Sequence, residues 1–194
     1  LMSRPARSCA AALLAVAALP ALAIEPFNAT YQANYMGLRA EANMNLARES
    51  GNRWTYGLRV AGAGARMQQT TVFEANGEQW RPISSSDSQR GESGIAAMLM
   101  KPRELNTTYD WNAGEARFSG DVRDGQSAPV RLQPGDLDGM LMNLVLVRDV
   151  QAGKSPLRYR LVEDGRAKRQ VFEREGTEAV TVGGRTLQAT KVVR

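Results

Sequence analysis

The chain has 194 residues and a formal net charge of +5 at pH 7, with one cysteine and no histidine. The missing histidine excludes Ser–His–Asp triads, Cys–His dyads and the usual histidine-based zinc and copper sites. The charge excess is small and both signs are scattered along the chain, whereas a nucleic-acid-binding domain needs a clustered basic face. We therefore expect no nucleic-acid partner, and no cofactor is assigned.

Residues 1–23 have the pattern of a secretion signal. Two arginines precede the apolar stretch Cys9–Leu19, and Ala21–Ala23 supplies the small-x-small pattern that a signal peptidase cleaves. An apolar stretch of about 11 residues is too short to span a bilayer. The sequence predicts a cleaved signal peptide at 1–23, cleavage near Ala23, and export of a single domain, 24–194, to the periplasm with no membrane span. Because the only cysteine lies in the signal, this domain is expected to be stable without disulfides.

Strict two-residue alternation of apolar and polar residues marks the first third of the exported domain. The odd positions of 27–35 and the even positions of 38–46 are apolar, and the even positions of 54–60 continue the pattern. Side chains alternate across a strand, and a strand with one wet face is typical of antiparallel sheets. The alternation predicts three antiparallel strands, joined by tight turns at Met36-Gly37 and 50–52.

Turn residues divide the rest of the chain into further short strands. Glycine-containing turns are predicted at Asn76-Gly77, Asn112–Gly114, Asp164-Gly165 and Gly183-Gly184. Between these turns the predicted strands are 67–75, 79–88, 105–111, 116–122, 157–163, 167–175, 178–182 and 185–193. The strands predict a mainly β, single-domain fold, in which an antiparallel, strongly curved sheet forms an open or partly closed barrel.

One segment has helical periodicity instead. Apolar residues recur at helical spacing from 137 to 145, before a stop signal at Gly153. Asp136 is the expected N-cap, because its carboxylate can accept hydrogen bonds from first-turn amides. The predicted amphipathic helix, near 136–150, is apolar on most sides and is expected to lie in the concavity of the sheet. A shorter apolar stretch, Gly94–Met100, predicts a turn of helix or a lid-like loop.

Two polar patterns are compatible with enzyme chemistry. The run 84–88 contains four serines, but no motif in a chain without histidine activates a nucleophile there, so an edge strand or loop is the favoured interpretation. A carboxylate pair for acid–base chemistry would have to come from acidic residues whose separations the sequence does not define. These are Asp87, Asp110, Asp121 and Glu163. No catalytic residue is therefore assigned.

Methionine pairs and a basic strip are compatible with binding. The segments Met98–Met100 and Met140–Met142 suit copper(I), but adaptable core packing is the favoured interpretation, and no metal site is assigned. The basic strip 158–160 and 166–169 suits anionic lipid headgroups or lipopolysaccharide phosphates. A solvated strand face is the favoured interpretation of that strip.

Dispersed motifs resemble a known bacterial family. They are the opening Phe27-x-Ala-x-Tyr31 strand, the strand Arg53–Leu58, Trp80–Ile83 after an Asn-Gly turn, the helix after Gly135-Asp136 and the closing segment Val182–Lys191. Together with the signal, these motifs resemble the bacterial exported family catalogued as domain of unknown function 3108.

The resemblance implies an antiparallel, strongly curved sheet wrapped around a helix. Such a fold is similar in outline to periplasmic lipoprotein carriers, whose unclosed barrels hold acyl chains. Members of the family usually continue with further strands after the Ala-Thr-Lys-Val strand, so the chain is expected to be C-terminally short relative to them. The family has no established activity, and no functional residues are carried over.

The leading hypothesis is a non-enzymatic periplasmic protein that binds a lipid-like or amphipathic ligand, or another cell-envelope component, in the sheet concavity. The predicted ligand groove is lined by Met98, Met100, Met140, Leu141, Leu144, Trp54 and Tyr56. A filled core in which nothing binds is the structural alternative. An outer-membrane β-barrel component and a carboxylate- or metal-dependent envelope enzyme are the other hypotheses, and the oligomeric state is left open.

Overall fold

The computed structural model describes residues 24–35 and 38–194. The predicted signal peptide, its cleavage site and the predicted Met36-Gly37 turn lie outside these residues. The described part is mainly β, with an unclosed sheet and two helices, which confirms the predicted fold class. No helix in the described ranges is both long and apolar enough to cross a bilayer.

The larger sheet is an eight-stranded antiparallel meander whose strands follow sequence order. Its strands are β1 (Phe27–Tyr35), β2 (Leu38–Ser50), β3 (Arg53–Gly62), β4 (Ala65–Asn76), β5 (Gln79–Gly91), β6 (Arg103–Asp110), β7 (Glu115–Gly120) and β8 (Val130–Arg131). A six-residue helix, α1 (Gly94–Leu99), connects β5 to β6. The meander confirms the strands that alternation predicted in this half of the chain.

The smaller sheet contains four strands in the order β12-β11-β10-β9. They are β9 (Asp136–Leu137), β10 (Leu157–Glu163), β11 (Arg166–Val182) and β12 (Arg185–Val193). The longer helix, α2 (Gly139–Gln151), connects β9 to β10, and these two strands are parallel. The prediction of separate strands at 167–175 and 178–182 is wrong, because β11 continues through a register shift between Arg174 and Gly176.

The start of α2 also differs from the prediction. Asp136 is not the N-cap: it lies in β9, opposite Arg160 of β10, where its carboxylate accepts hydrogen bonds from the Arg160 guanidinium and from the Gln133 amide. The N-cap is Asp138, whose side chain accepts from the Leu141 amide at 2.7 Å. Two aspartates with suitable chemistry stand two residues apart, and the strand pairing of the first leaves the second to cap the helix.

The main core lies between α2, strands β2–β4 of the larger sheet, and strands β9 and β10. Its buried members are Leu46, Trp54, Tyr56, Phe73, Leu137, Met140, Leu141, Val145 and Leu161. On α2, Leu141 is fully buried, whereas Val147 is 55% exposed. The helix therefore packs through a stripe of apolar side chains and keeps a solvent-facing side.

We predict that Leu141→Ala lowers the free energy of unfolding by about 2–5 kcal/mol, because it leaves a cavity where α2 meets both sheets. Val147→Ala on the same helix is the matched control and should change stability by no more than about 0.5 kcal/mol, the usual range for surface substitutions. Urea denaturation followed by far-UV circular dichroism measures both values. Equal losses in the two variants would contradict the packing described for α2.

Candidate functional site

Two cavities of different character lie against α2. The first, the tryptophan cleft, has a volume of about 690 Å³ and includes Trp80, Trp111, Val145, Arg148 and Tyr159 among its lining residues. The second, the polar cavity, has a volume of about 420 Å³ and lies at the N-terminal end of the helix, beside Asp138. Both volumes fall within the range of small-molecule sites, about 300–1,000 Å³.

The meander brings the two tryptophans of the cleft together. Trp80 stands just after the β4–β5 turn and Trp111 just after β6, and in an antiparallel meander these two positions lie at the same end of the sheet. The Trp80 indole donates to the Gly77 carbonyl at 3.1 Å, and the Trp111 indole donates to the Pro82 carbonyl at 2.7 Å. With both N–H groups satisfied, the rings offer the cleft apolar faces.

Arginine side chains lie over both rings. The Arg148 guanidinium is 4.7 Å from the Trp80 ring centroid, and that of Arg81 is 5.9 Å from the Trp111 centroid, which are cation–π distances. Each also has a carboxylate partner, Asp149 at 2.8 Å for Arg148 and Glu74 at 3.0 Å for Arg81. These cations therefore stiffen the aromatic wall and carry little free charge.

Arg158 differs from the other two arginines of the cleft. Its side chain is exposed and lines the cleft, and among the described residues it has no ion-pair or hydrogen-bond partner. It is therefore the arginine of this cleft whose charge remains available to an anionic group on a ligand.

Tyr159 also lines the cleft. Its hydroxyl donates to the buried Asp149 carboxylate at 3.2 Å. Burial, with the negative charge of Asp149 as a second cause, raises the pKa of Tyr159 to about 12. The phenol is therefore neutral at physiological pH, and because its hydroxyl is engaged the ring presents mainly apolar surface to the cleft.

A smaller cavity adjoins the tryptophan cleft and shares with it Glu78 as well as the Trp80–Arg148 stack. It has a volume of about 440 Å³ and is lined by Ile24, Trp54 and Ala75 together with the shared residues Trp80 and Arg148. The stacked pair is thus a common wall between two cavities that both have aromatic linings.

The polar cavity has a floor of buried polar groups. Thr71, Thr107 and Asp138 are each less than 5% exposed, and the Thr71 hydroxyl donates to the Asp138 carboxylate at 2.8 Å. Burial is the main cause that raises the pKa of Asp138 to about 6, and the hydrogen bonds from Leu141 and Thr71 limit the rise. The negative charge of Glu163 raises it further. A pKa of about 6 brings the titration of Asp138 close to neutral pH.

Ion pairs line the rest of the polar cavity. Asp164 binds Arg103 at 2.8 Å and Arg123 at 2.9 Å, and Lys168 lies 3.3 Å from Glu163. Asp87 is 3.7 Å from Arg103. The charged groups of this cavity therefore largely neutralise one another.

The four acidic residues singled out in the sequence separate into two groups. Asp87 and Glu163 both line the polar cavity. Asp110 instead accepts hydrogen bonds from the backbone of the β6–β7 turn, and Asp121 accepts one from the Glu104 amide at 2.7 Å. Asp138, whose raised pKa suits acid–base chemistry, is not among these four residues.

The seven residues of the predicted groove do not come together at one cavity. Trp54, Tyr56, Met140 and Leu141 are buried members of the main core, and Leu144 is partly buried against it. Met98 is 85% exposed on α1, and Met100 is the C-cap of that helix. The sheet concavity that was predicted to hold a ligand is occupied by the packing of α2.

The sequence contains a pattern from which part of the tryptophan cleft could have been predicted. Trp80 follows the predicted Asn76-Gly77 turn and Trp111 precedes the predicted Asn112–Gly114 turn. Alternate turns of an antiparallel meander lie at the same end of the sheet, so both rings could have been placed together. Arg148 and Tyr159 come from α2 and the second sheet, and no local pattern connects them to that end.

Comparison of the chain with protein-family models, with curated proteins and with solved structures found no match. The resemblance to the exported family therefore stays a prediction. Within the described ranges, no group of three or more acidic or cysteine side chains is placed to hold a metal ion.

We predict that Asp138→Asn removes a pH-dependent part of stability. The folded-state pKa of about 6 lies above the ordinary value of 3.8, so between these values the folded protein binds more protons than the unfolded chain. The contribution of Asp138 to the free energy of unfolding then falls as pH rises from about 4 to 6, by roughly 3 kcal/mol, and is constant above that window.

Urea denaturation of both proteins from acidic to neutral pH tests this prediction. The stability difference, wild type minus Asp138→Asn, should decline through the window. Asp124→Asn, at an exposed position, is the matched control for the loss of one carboxylate. A stability difference that does not change with pH would contradict a raised pKa of Asp138 in the folded protein.

Proposed function

We propose that this protein is an exported, non-enzymatic binding protein of the periplasm that holds an amphipathic ligand in the tryptophan cleft. The observation that carries the proposal is a cleft of about 690 Å³ whose lining includes two indole rings together with Val145, Arg148 and Asp149 of α2. The predicted signal peptide supports export, and the resemblance to an exported family with a carrier-like outline agrees with it.

The distribution of charge favours a ligand with an apolar body and a polar end. Arg81 and Arg148 are neutralised by carboxylates, and the Tyr159 hydroxyl is hydrogen-bonded. A hydrocarbon chain in the cleft would displace water from apolar surface without breaking these pairs, a gain of about 0.8 kcal/mol for each buried methylene. Arg158, at the exposed side, could then meet a carboxylate or phosphate at the end of the ligand.

Binding is favoured over catalysis because the acidic groups of the polar cavity already have structural partners. Asp138 caps α2 and accepts from Thr71, and Glu163 and Asp164 are ion-paired. A glycosidase-type mechanism needs one carboxylic acid and one free carboxylate facing the substrate. The polar cavity is better explained as the network that joins α2 to the two sheets.

Intrinsic fluorescence provides a direct test of the ligand site, because two of the three tryptophans of the chain line the cleft. Titration with a long-chain fatty acid should change the emission and saturate. Trp111→Ala should weaken binding by about tenfold or more, the equivalent of 1.4 kcal/mol. Leu187→Ala, at a 51% exposed position of β12, is the control and should leave affinity unchanged.

Two further measurements complete the experiment. One is competition with a fluorescent fatty acid for the cleft, and the other is mass spectrometry of the lipids that co-purify with the protein from cells. Circular dichroism must show that Trp111→Ala is folded. The proposal fails if no saturable binding is found and no lipid co-purifies with the exported protein.

The location has its own test. We expect osmotic shock to release the protein from bacterial cells. Its measured mass should equal that of the chain from Ile24 onward, after removal of residues 1–23. The physical reason is that the apolar part of the signal is too short to anchor the chain. Retention in the cytoplasm at the mass of the whole sequence would contradict export.

A further inference from the structure

Helix α1 carries its large apolar side chains on the outside. Ile95, Met98 and Leu99, spaced i, i+3 and i+4, are 74%, 85% and 78% exposed. Ala96 and Met100, on the side toward β5, are half-buried. This is the reverse of an ordinary surface helix, which turns its large apolar residues toward the core.

The backbone of β5 explains this orientation. A Cβ atom at Gly91 would lie 2.0 Å from the Ala96 carbonyl oxygen and 2.7 Å from the Ala97 Cα, so α1 packs directly on the main chain of β5. At that distance the contact with Gly91 has room for the small side chain of Ala96 and not for one the size of Ile95 or Leu99. The arrangement therefore forces the bulky residues outward.

Hydrogen bonds fix the position of α1 on the sheet. The amides of Glu92 and Ser93, immediately before the helix, both donate to the Gly64 carbonyl in the β3–β4 turn, at 2.6 and 3.1 Å. The exposed residues are thus presented from a tethered element at one end of the meander.

Positive charge surrounds this apolar face. Arg66 and Arg90 are 54% and 59% exposed at their side chains, and both pair with the same carboxylate, Glu92, at 3.1 and 2.9 Å. Lys101 follows the helix, is exposed, and has no ion-pair partner among the described residues. The groove lined by Arg66 and Arg90 also contains Arg103, Glu104 and Asp121. Four cations against three carboxylates leave a net positive collar beside the apolar tip.

We propose that α1 is a membrane-docking tip, which inserts Ile95, Met98 and Leu99 into an anionic phospholipid surface while the collar contacts the headgroups. Apolar side chains flanked by Lys and Arg are the composition of interfacial membrane anchors. Cations close to an anionic bilayer each add to the attraction. The proposal is independent of the tryptophan cleft, which lies at the other end of β5 and β6.

Area argues against a protein as the occupant of this surface. A stable protein–protein interface buries about 800 Å² on each partner, contributed by about 20–30 residues. Three side chains on a six-residue helix are far below that size. Insertion into a bilayer has no comparable threshold, because each side chain and each cation contributes separately.

Vesicle co-sedimentation of the mature protein tests the proposal. We expect binding to vesicles of phosphatidylcholine mixed with phosphatidylglycerol, weaker binding to phosphatidylcholine alone, and loss of the difference at high salt. Leu99→Glu should weaken binding to the mixed vesicles by about tenfold or more, and Lys101→Gln should weaken it less. Because both positions are exposed, the variants should keep the melting temperature of the parent protein.

Leu187→Glu is the matched control, since Leu187 is also an exposed leucine, 51% accessible on β12. It should bind vesicles like the parent, and so should Trp111→Ala, whose site is the cleft. Equal loss in Leu187→Glu and Leu99→Glu overturns the proposal, as does equal binding to neutral and anionic vesicles. Sedimentation showing a dimer that only Leu99→Glu dissociates, without vesicle binding, would assign the tip to a second copy of the chain.

Discussion

The hydrogen bond from the Thr71 hydroxyl to the Asp138 carboxylate joins the larger sheet to the first turn of α2. The same carboxylate accepts the Leu141 amide, so one buried side chain both caps the helix and holds it against β4. A buried helix start without such a partner would leave backbone donors unsatisfied. The direction of α2, and hence the position of Val145 and Arg148 in the cleft, depends on this contact.

The cost of that contact is a carboxylate away from water, and the raised pKa of Asp138 reflects it. At the C-terminal end of α2 a carboxylate is unfavourable for a different reason. Asp149 lies close to the negative end of the helix dipole, which repels its charge. Arg148 and Lys154 pair with the Asp149 carboxylate, at 2.8 and 3.3 Å, and Arg174 donates to the Asp149 and Val150 carbonyls. These cations stabilise the C-terminal end of α2. The ion pair with Asp149 also holds Arg148 over Trp80 and neutralises its charge in the absence of a ligand.

Alternation in the sequence was enough to predict the meander, because the side-chain period of two is imposed by the pleat and by one buried face. Alternation was not enough where contacts between distant parts of the chain determine the local structure. Asp136 and Asp138 are equally good caps by local chemistry, and only the pairing of Asp136 with Arg160, 24 residues away, separates them. The continuity of β11 was not predicted because a glycine, here Gly176, commonly marks the end of a strand. In the structure Gly176 has a φ of +117° and accommodates a register shift within one continuous strand.

The candidate site was harder to predict than the fold for the same reason. Aromatic residues on the predicted strands, Trp54 and Tyr56, were assigned to a groove, yet α2 covers them with its own apolar stripe. The partners Thr71 and Asp138 are 67 residues apart, and no periodic pattern marks either of them. Side chains that meet across two sheets are set by the path of the chain between them, which local patterns do not encode.

Strands β5 and β6 connect the two surfaces on which our proposals rest. One end of the pair carries Trp80 and Trp111, and the other end carries α1. The 13 residues of β5 extend over about 40 Å at the usual rise per residue. With α1 docked on a bilayer and β5 directed away from it, the cleft would face the aqueous side. A ligand could then enter or leave the cleft through water or from a second surface, and the bilayer that holds α1 would serve as an anchor.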